Sequence, residues 1–491
     1  MGLHFLRVGI FILAGCFSAT GWAQDPFDTP VAIVHVTATL EAGSTIDDAT
    51  ILIDGGRIIA VGADVEIPSE AQIFDGSGLY AYPGFIDAAT HLGIKDKKPS
   101  DAVLARASDD EYPVVQGPRT HMQLANRLGV WPHIGVTEMY TADADAMDSF
   151  RKLGFSTVLI TPHADVISGS GEVIQLSGKP LRRSTLARRV TQILGFGDFE
   201  GIDYSKGRTY PASPMGAVAM IRQTYMDAEW YRERHALSEQ HPTEIRRVDF
   251  DPVLDAMGVL LDREQMWTFA VDTPNEIHHA LDLALEFDQR IAILGGKEAW
   301  KVADRLAAEN VPVIVSMDFE EKPKLAPKKL KEKKVYTTVS WTPEFENDFF
   351  EPLTVRRDRV RVWEEQVNNL HALIQAGVEV AITGGDLKSP DKLTKNIEAA
   401  LELDLTADEL LNSLTQSPAS ILGLGEQLGS LAPGKIANVT LLTKPLGEKD
   451  SQVRHVFIDG TRFNYTTDAK KDESIADAAK SEIEGDRKSV V

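Results

Sequence analysis

An α/β fold on a parallel sheet is what this sequence predicts, on three observations. Between Gly84 and about Leu422, short apolar runs alternate with segments of helical periodicity. That alternation lasts for roughly 340 residues, a length that suits strand–helix units closed into a barrel. Before Gly84 the runs are separated by turn residues instead of helices, so a small β unit precedes the main domain. On pattern alone, a doubly wound sheet satisfies the alternation as well as a barrel does.

The first residues read as an export signal. Met1 to Arg7 carries one firm positive charge, and Val8 to Leu13 opens an apolar stretch too short to span a bilayer. Gly21-Trp22-Ala23 ahead of Gln24 offers the small residues at which a signal peptidase cuts. This assigns residues 1–23 to a signal peptide and places the mature protein in the periplasm. Leu13-Ala14-Gly15-Cys16 resembles a bacterial lipobox and leaves an alternative, a membrane-anchored lipoprotein held through Cys16. The chain has no other cysteine, so disulfides and thiolate metal sites are excluded.

Val31 to Leu40 is rich in Val, Ile and Thr and reads as a strand. Ile51-Leu52-Ile53 and Ile58-Ile59-Ala60-Val61 flank Asp54-Gly55-Gly56-Arg57, a hairpin signal. A further run near Gln72 to Phe74 completes the unit over residues 24–83. Within the main domain the clearest strands are Phe155 to Ile160, Trp267 to Val271, Arg290 to Leu294, Val311 to Val315 and Val378 to Thr383. The best-signalled helix starts at Pro274, with Thr273 as cap and Glu276 completing a capping box. Ile277, Leu281, Ala284 and Leu285 then recur at helical spacing, which predicts one face packed on the sheet.

Two segments look solvated. Lys322 to Lys334 holds seven lysines and two prolines and reads as an exposed loop. Residues 466–491 contain no aromatic residue and read as a disordered tail. Apolar residues make up 43% and charged residues 25% of the chain, ordinary values for a globular protein with a large core. A formal net charge of −22 argues against nucleic acid as a partner, because a basic face is needed there.

Pro83-Gly84-Phe85-Ile86-Asp87-Ala88-Ala89-Thr90-His91 resembles the first barrel strand of the amidohydrolase superfamily, where Pro-Gly-Phe-Ile-Asp leads into His-x-His. Three more pieces follow the same family pattern in order. Asp54 to Gly62 resembles its opening hairpin, Thr415-Gln416-Ser417-Pro418-Ala419 its Thr-x-x-Pro-Ala helix, and Leu428 to Val439 its Gly-Ser-Leu-x-Pro-Gly-Lys return. In that return Asn438 stands where the family usually has Asp. Ile167-Ser168-Gly169-Ser170-Gly171 and Pro211 to Gly216 resemble the imidazolonepropionase-related branch. The resemblance implies a (β/α)8 TIM-like barrel over residues 84–422 and a small β-sandwich built from 24–83 and 423–465. It also implies Zn2+ or another divalent metal at the C-terminal mouth, which activates water for hydrolysis of non-peptide C–N bonds.

Residue by residue, the family's metal site carries over poorly. Strand 1 gives Ala89 in place of one imidazole and His91 as the other. The strand 5 and strand 6 histidines fall near Ala270 and Gly295, and strand 8 keeps Asp386 as the general base. Asp272 and Lys297 lie close enough to take those places if the alignment slips, yet neither supplies an imidazole. His91 and Asp386 remain as candidate metal ligands, and His163 could join them in a relocated site with Asp165 nearby. Each has a plainer role: a hydrogen-bonded histidine at the mouth, a helix-capping acid after Gly384-Gly385, and loop residues in ordinary turns. The sequence therefore describes a hydrolase fold whose catalysis is impaired or lost. An active hydrolase of small or cyclic amides on His91, His163 and Asp386 is one alternative. A binding or partner subunit, paired with itself or with an intact homologue, is the other.

Overall fold

A computed structural model of the chain describes residues 29–94, 129–197, 211, 213–323, 325, 352–384 and 390–465. The export signal with Cys16, most of the lysine-rich loop, Asp386 and the tail from residue 466 lie outside the described residues.

Five strands open the fold: β1 (Val31–Glu41), β2 (Ser44–Asp54), β3 (Arg57–Gly62), β4 (Gln72–Asp75) and β5 (Tyr80–Pro83). β2 and β3 form the hairpin expected around Asp54-Gly55-Gly56-Arg57, with both glycines at positive φ (54° and 74°). That is the backbone a two-residue hairpin turn requires. Eight strands of the main sheet follow. They are β6 (Phe85–Thr90), β7 (Phe155–Ile160), β8 (Ile167–Gln175), β9 (Thr185–Gly195), β10 (Met266–Val271), β11 (Ile291–Gly295), β12 (Val313–Ser316) and β13 (Val380–Thr383). The chain returns through β14 (Val439–Leu442), β15 (Val453–Ile458) and β16 (Thr461–Asn464).

The main sheet runs β13-β12-β11-β10-β9-β8-β7-β6. Every residue of β6, β7 and β8 is buried, as expected for a sheet covered on both faces. The expected barrel is present, with one local departure: β8 runs antiparallel to both β7 and β9, while the other neighbours pair in parallel. The β7–β8 connection is six residues long, too short for the crossover that a parallel pair needs. Among the described residues no backbone ladder joins β13 to β6. Side chains bridge that seam instead. The Thr383 hydroxyl donates to the Ala89 carbonyl, and Gly384 N–H donates to Asp87 Oδ2 at 3.1 Å.

Strands from both chain ends share the second sheet, in the order β16-β15-β14-β5-β1-β2-β3, and fit the expected β-sandwich. β5 pairs with β14, so residues at the two extremes of the fold are hydrogen-bonded neighbours. Its separate apolar core gathers Ile33, Ile51, Ile58, Val439 and Phe457. Asn438, the departure from the family's Asp, is buried at the junction with the barrel. Its amide donates to Thr157 Oγ1 at 3.1 Å, and its carbonyl oxygen accepts from Asp459 N at 3.0 Å. A carboxylate could not donate to Thr157 in this way.

The helix Pro274–Glu286 carries the full capping box, with Thr273 and Glu276 each bonded to the other's backbone N–H. Ile277, Leu281 and Ala284 are buried as expected, whereas Leu285 is exposed. Leu285 lies about 80° round the helix from Ile277, at the margin of the apolar stripe, and turns to solvent.

Candidate functional site

The C-terminal ends of the barrel strands enclose a cavity of about 760 Å3, within the range of small-molecule pockets. β6 contributes Ala89, and His91 directly follows the strand. Beyond β7 come Thr161 and His163, and β9 ends at Gly195 with Phe196 beyond it. β10 contributes Ala270 and leads to Asp272, while β11, β12 and β13 end at Gly295, Ser316 and Thr383. In a parallel barrel this face is where ligands sit, because every strand delivers its C-terminal residues and the following loop there.

The structure brings together most of the positions singled out in the sequence. Ala89, His91, His163, Ala270, Gly295 and Asp272 all border this one cavity. The rings of His91 and His163 stack with centroids 3.9 Å apart and planes tilted by 35°. His91 Nδ1 lies 2.8 Å from the Thr161 carbonyl. A carbonyl only accepts, so Nδ1 carries a proton and donates it to this bond. Asp165 Oδ1 accepts from Val166 N at 2.9 Å.

Among the described residues, the two carboxylates bordering the cavity are engaged with neighbours. Asp272 Oδ2 is 3.3 Å from Lys297 Nζ, and Glu276 Oε2 accepts from Thr273 N at 3.0 Å and Thr273 Oγ1 at 2.9 Å. Gly295 has φ +94°, a left-handed conformation, and a β-carbon there would stand 2.5 Å from Asp272 Oδ1. A side chain at this point would be strained by the backbone and would have to displace the Asp272 carboxylate. Among the described residues no three His, Cys, Asp or Glu side chains come together as a metal-binding group. A catalytic zinc takes three protein ligands and a water, so the described donor set does not fit one.

Below the cavity lies a group that the sequence reading passed over. Asp87 is fully buried, and burial pushes its carboxyl up to about 6 even though it accepts from Ala89 N at 3.0 Å and Gly384 N at 3.1 Å. It thereby fastens the strand that leads to His91 to Gly384, the residue after β13. The signal was present in Pro83-Gly84-Phe85-Ile86-Asp87, but an aspartate in an apolar strand reads as a motif residue until its partners are known. The apolar wall of Ile193, Phe196, Val271 and Leu294 likewise required the fold to be seen.

A sequence model described as the Amidohydrolase family matches residues 209–463, just over half of the chain. No curated protein matches the sequence. Among solved structures, an amidohydrolase from Thermotoga maritima MSB8 is similar over 89% of this chain and 100% of its own, at 20% identity and a TM-score of 0.66. A prolidase complexed with N-methylphosphonate-L-proline covers 89% and 100% at 16% identity and a TM-score of 0.47. Phenylurea hydrolase B covers 89% and 97% at 16% identity and a TM-score of 0.47. At these identities the first likeness establishes the fold alone, and the other two carry no argument.

Proposed function

The chain belongs to the amidohydrolase family, and from that membership we propose that its inherited metal-dependent hydrolysis of non-peptide C–N bonds is impaired or lost, the mouth cavity remaining as a small-molecule site. Members of the family typically bind divalent metals. The observation that carries the reading is the set of three mouth positions without a donor: Ala89, Ala270 and Gly295. Gly295 weighs most among them, since its left-handed backbone and the Asp272 carboxylate both disfavour a side chain there. The cavity itself is retained, with an apolar wall facing two histidines and the hydroxyls of Thr161, Ser316 and Thr383. That lining suits a small neutral molecule with one amide-like polar edge. Placement in the imidazolonepropionase-related branch rests on Ile167 to Gly171, which form the start of β8, and on the segment that opens at Pro211.

Elemental analysis of the purified mature protein, after dialysis against a mild chelator, tests the reading. It expects clearly less than one tightly held divalent metal per chain. One observation favours a second reading, a relocated site. The stacked His91 and His163 are the start of a donor set that Asp386 would extend. A full zinc equivalent that disappears in His163→Ala would establish that site and replace the first reading. The place of action is part of the proposal: an exported protein beginning at Gln24 in the periplasm. Intact mass separates this from a lipidated chain beginning at Cys16.

A further inference from the structure

Between Val173 and Gly197 the chain carries five bases, Lys179, Arg182, Arg183, Arg188 and Arg189, and no acid. In a chain of net charge −22 this stretch is a local reversal of sign. The fold gathers it at one place. β8 runs antiparallel to its neighbours and so ends at the floor of the barrel, where β9 begins. Residues 185–190 of β9 come before its register with β10, which starts with Thr191 beside Met266. The bases therefore sit at the end of the barrel opposite the cavity, on the β8–β9 connection and the first half of β9.

The local backbone keeps these cations outward. Arg182, Arg183 and Arg188 are exposed, and no hydrogen bond or ion pair among the described residues engages them. The flanks are fixed, since Lys179 pairs with Asp459 at 2.8 Å and Arg189 donates to the His133 carbonyl at 2.9 Å. Between the pairs Val173–Ala187 and Gly171–Thr191, three residues of β9 face the single Glu172, and Arg189 takes φ +50°. In a regular strand Arg188 and Arg189 would point to opposite faces, one of them on the side of Leu186 and Val190. Those two residues pack on the apolar floor of the barrel. The bulge, with its left-handed residue, leaves both arginines exposed instead.

We propose that this floor face docks on an anionic phospholipid surface. Guanidinium groups take phosphate oxygens two at a time, and three of them here are unengaged. No large apolar residue between Val173 and Gly197 is exposed, so the face lacks the apolar centre of a protein interface. No aromatic residue lies between Lys179 and Arg189 for nucleic-acid bases to stack on. A fluid array of headgroups needs neither, because its phosphates move to meet each cation. Acids elsewhere on the chain are screened beyond about 8 Å at physiological salt, so the local sign governs. Docking by the floor also leaves the cavity at the other end of the barrel open to solvent.

Co-sedimentation of the mature chain beginning at Gln24, which carries no lipid, tests this with two kinds of vesicle. Binding is expected to mixed phosphatidylglycerol–phosphatidylcholine vesicles and not to phosphatidylcholine alone, and it should fall as salt rises from about 0.1 M to about 0.5 M. Arg182→Gln, Arg183→Gln and Arg188→Gln together should weaken it roughly a hundredfold, at about fivefold per charge. Thermal unfolding should not change, because all three side chains are exposed. Arg246→Gln, Arg247→Gln and Arg290→Gln together remove the same charge from other exposed positions and should leave binding nearly intact. A chain that ignores the anionic vesicles overturns the proposal, and so does binding that both triple variants weaken equally. Retention on immobilised DNA without vesicle binding would give the face to a nucleic acid and overturn it too.

Discussion

The Asp272 carboxylate occupies the volume that a side chain on Gly295 would need, its Oδ1 standing 2.5 Å from an ideal β-carbon at that position. Asp272 follows β10 and Gly295 ends the adjacent parallel strand β11, in a register that sets Val271 beside Gly295. Lys297 holds the carboxylate in place through its Nζ at 3.3 Å and its backbone N–H at 3.4 Å. A side chain at position 295 would therefore meet both a left-handed backbone and the Asp272 carboxylate.

Restoring histidines one at a time should therefore give unequal results. Gly295→His must take up a left-handed backbone and displace Asp272, at a cost of roughly 1–3 kcal/mol. Ala270→His points into the open cavity and should cost less than about 1 kcal/mol. Urea unfolding of the two variants makes the comparison, and equal stability would refute the account of Gly295.

No hydrolysis of cyclic ureides or small amides above background is expected, and Asp386→Asn should change nothing. A carboxylate base acts on an activated water, and without a bound metal that water's pKa rises from about 7 back toward that of bulk water. Turnover that falls a hundredfold or more in Asp386→Asn would show a working site.

Asp87 predicts a pH dependence of stability with a definite sign. Its carboxyl is raised by burial from 3.8 to about 6, so the folded state holds a proton that the unfolded chain has already lost. The contribution is complete below pH 4 and is lost as pH rises through 6, amounting to about 3 kcal/mol at about 1.4 kcal/mol per pKa unit. Unfolding free energies of the wild type and Asp87→Asn at pH 4, 5, 6 and 7 isolate it. The wild type should lose ground to the variant as pH rises. A constant difference would mean that the carboxyl titrates normally.

Thr273 caps the helix Pro274–Glu286 and borders the cavity. Thr273→Ala should cost about 1 kcal/mol, and Thr273→Ser should recover most of it. Thermal unfolding of both variants distinguishes a cap from a side chain that serves only the cavity.

Local signals were legible in the sequence wherever the physics is local. The capping box at Thr273, the hairpin at Gly55-Gly56 and the apolar strands β7, β10 and β11 each depend on a few adjacent residues. The barrel and the two-ended second domain were legible only through resemblance, because nothing local in Tyr80 to Pro83 names Val439 to Leu442 as its partner. The direction of β8 escaped the sequence reading. Its Ser-Gly-rich start reads as turn chemistry, and whether a strand runs with or against its neighbours is decided by pairing. In the site, the donor-poor positions were visible as Ala89, Ala270 and Gly295. The contact between Asp272 and Gly295 was not, since it joins two strands by a register that only the folded sheet fixes.

The pairing of β5 with β14 sets an order of events during synthesis. Pro83 and Val439 are partners across roughly 350 residues, which at 5–20 residues per second separates their appearance by about 20–70 s. Throughout that interval the edge of β5 has no partner, and an unpaired edge is an invitation to aggregation. The nascent chain thus carries an unfinished sheet for nearly its whole birth, and a product truncated anywhere before Val439 keeps that edge open for good. Such fragments should appear in inclusion bodies or as targets of proteolysis, and the full-length chain should gain its protease resistance in one late step.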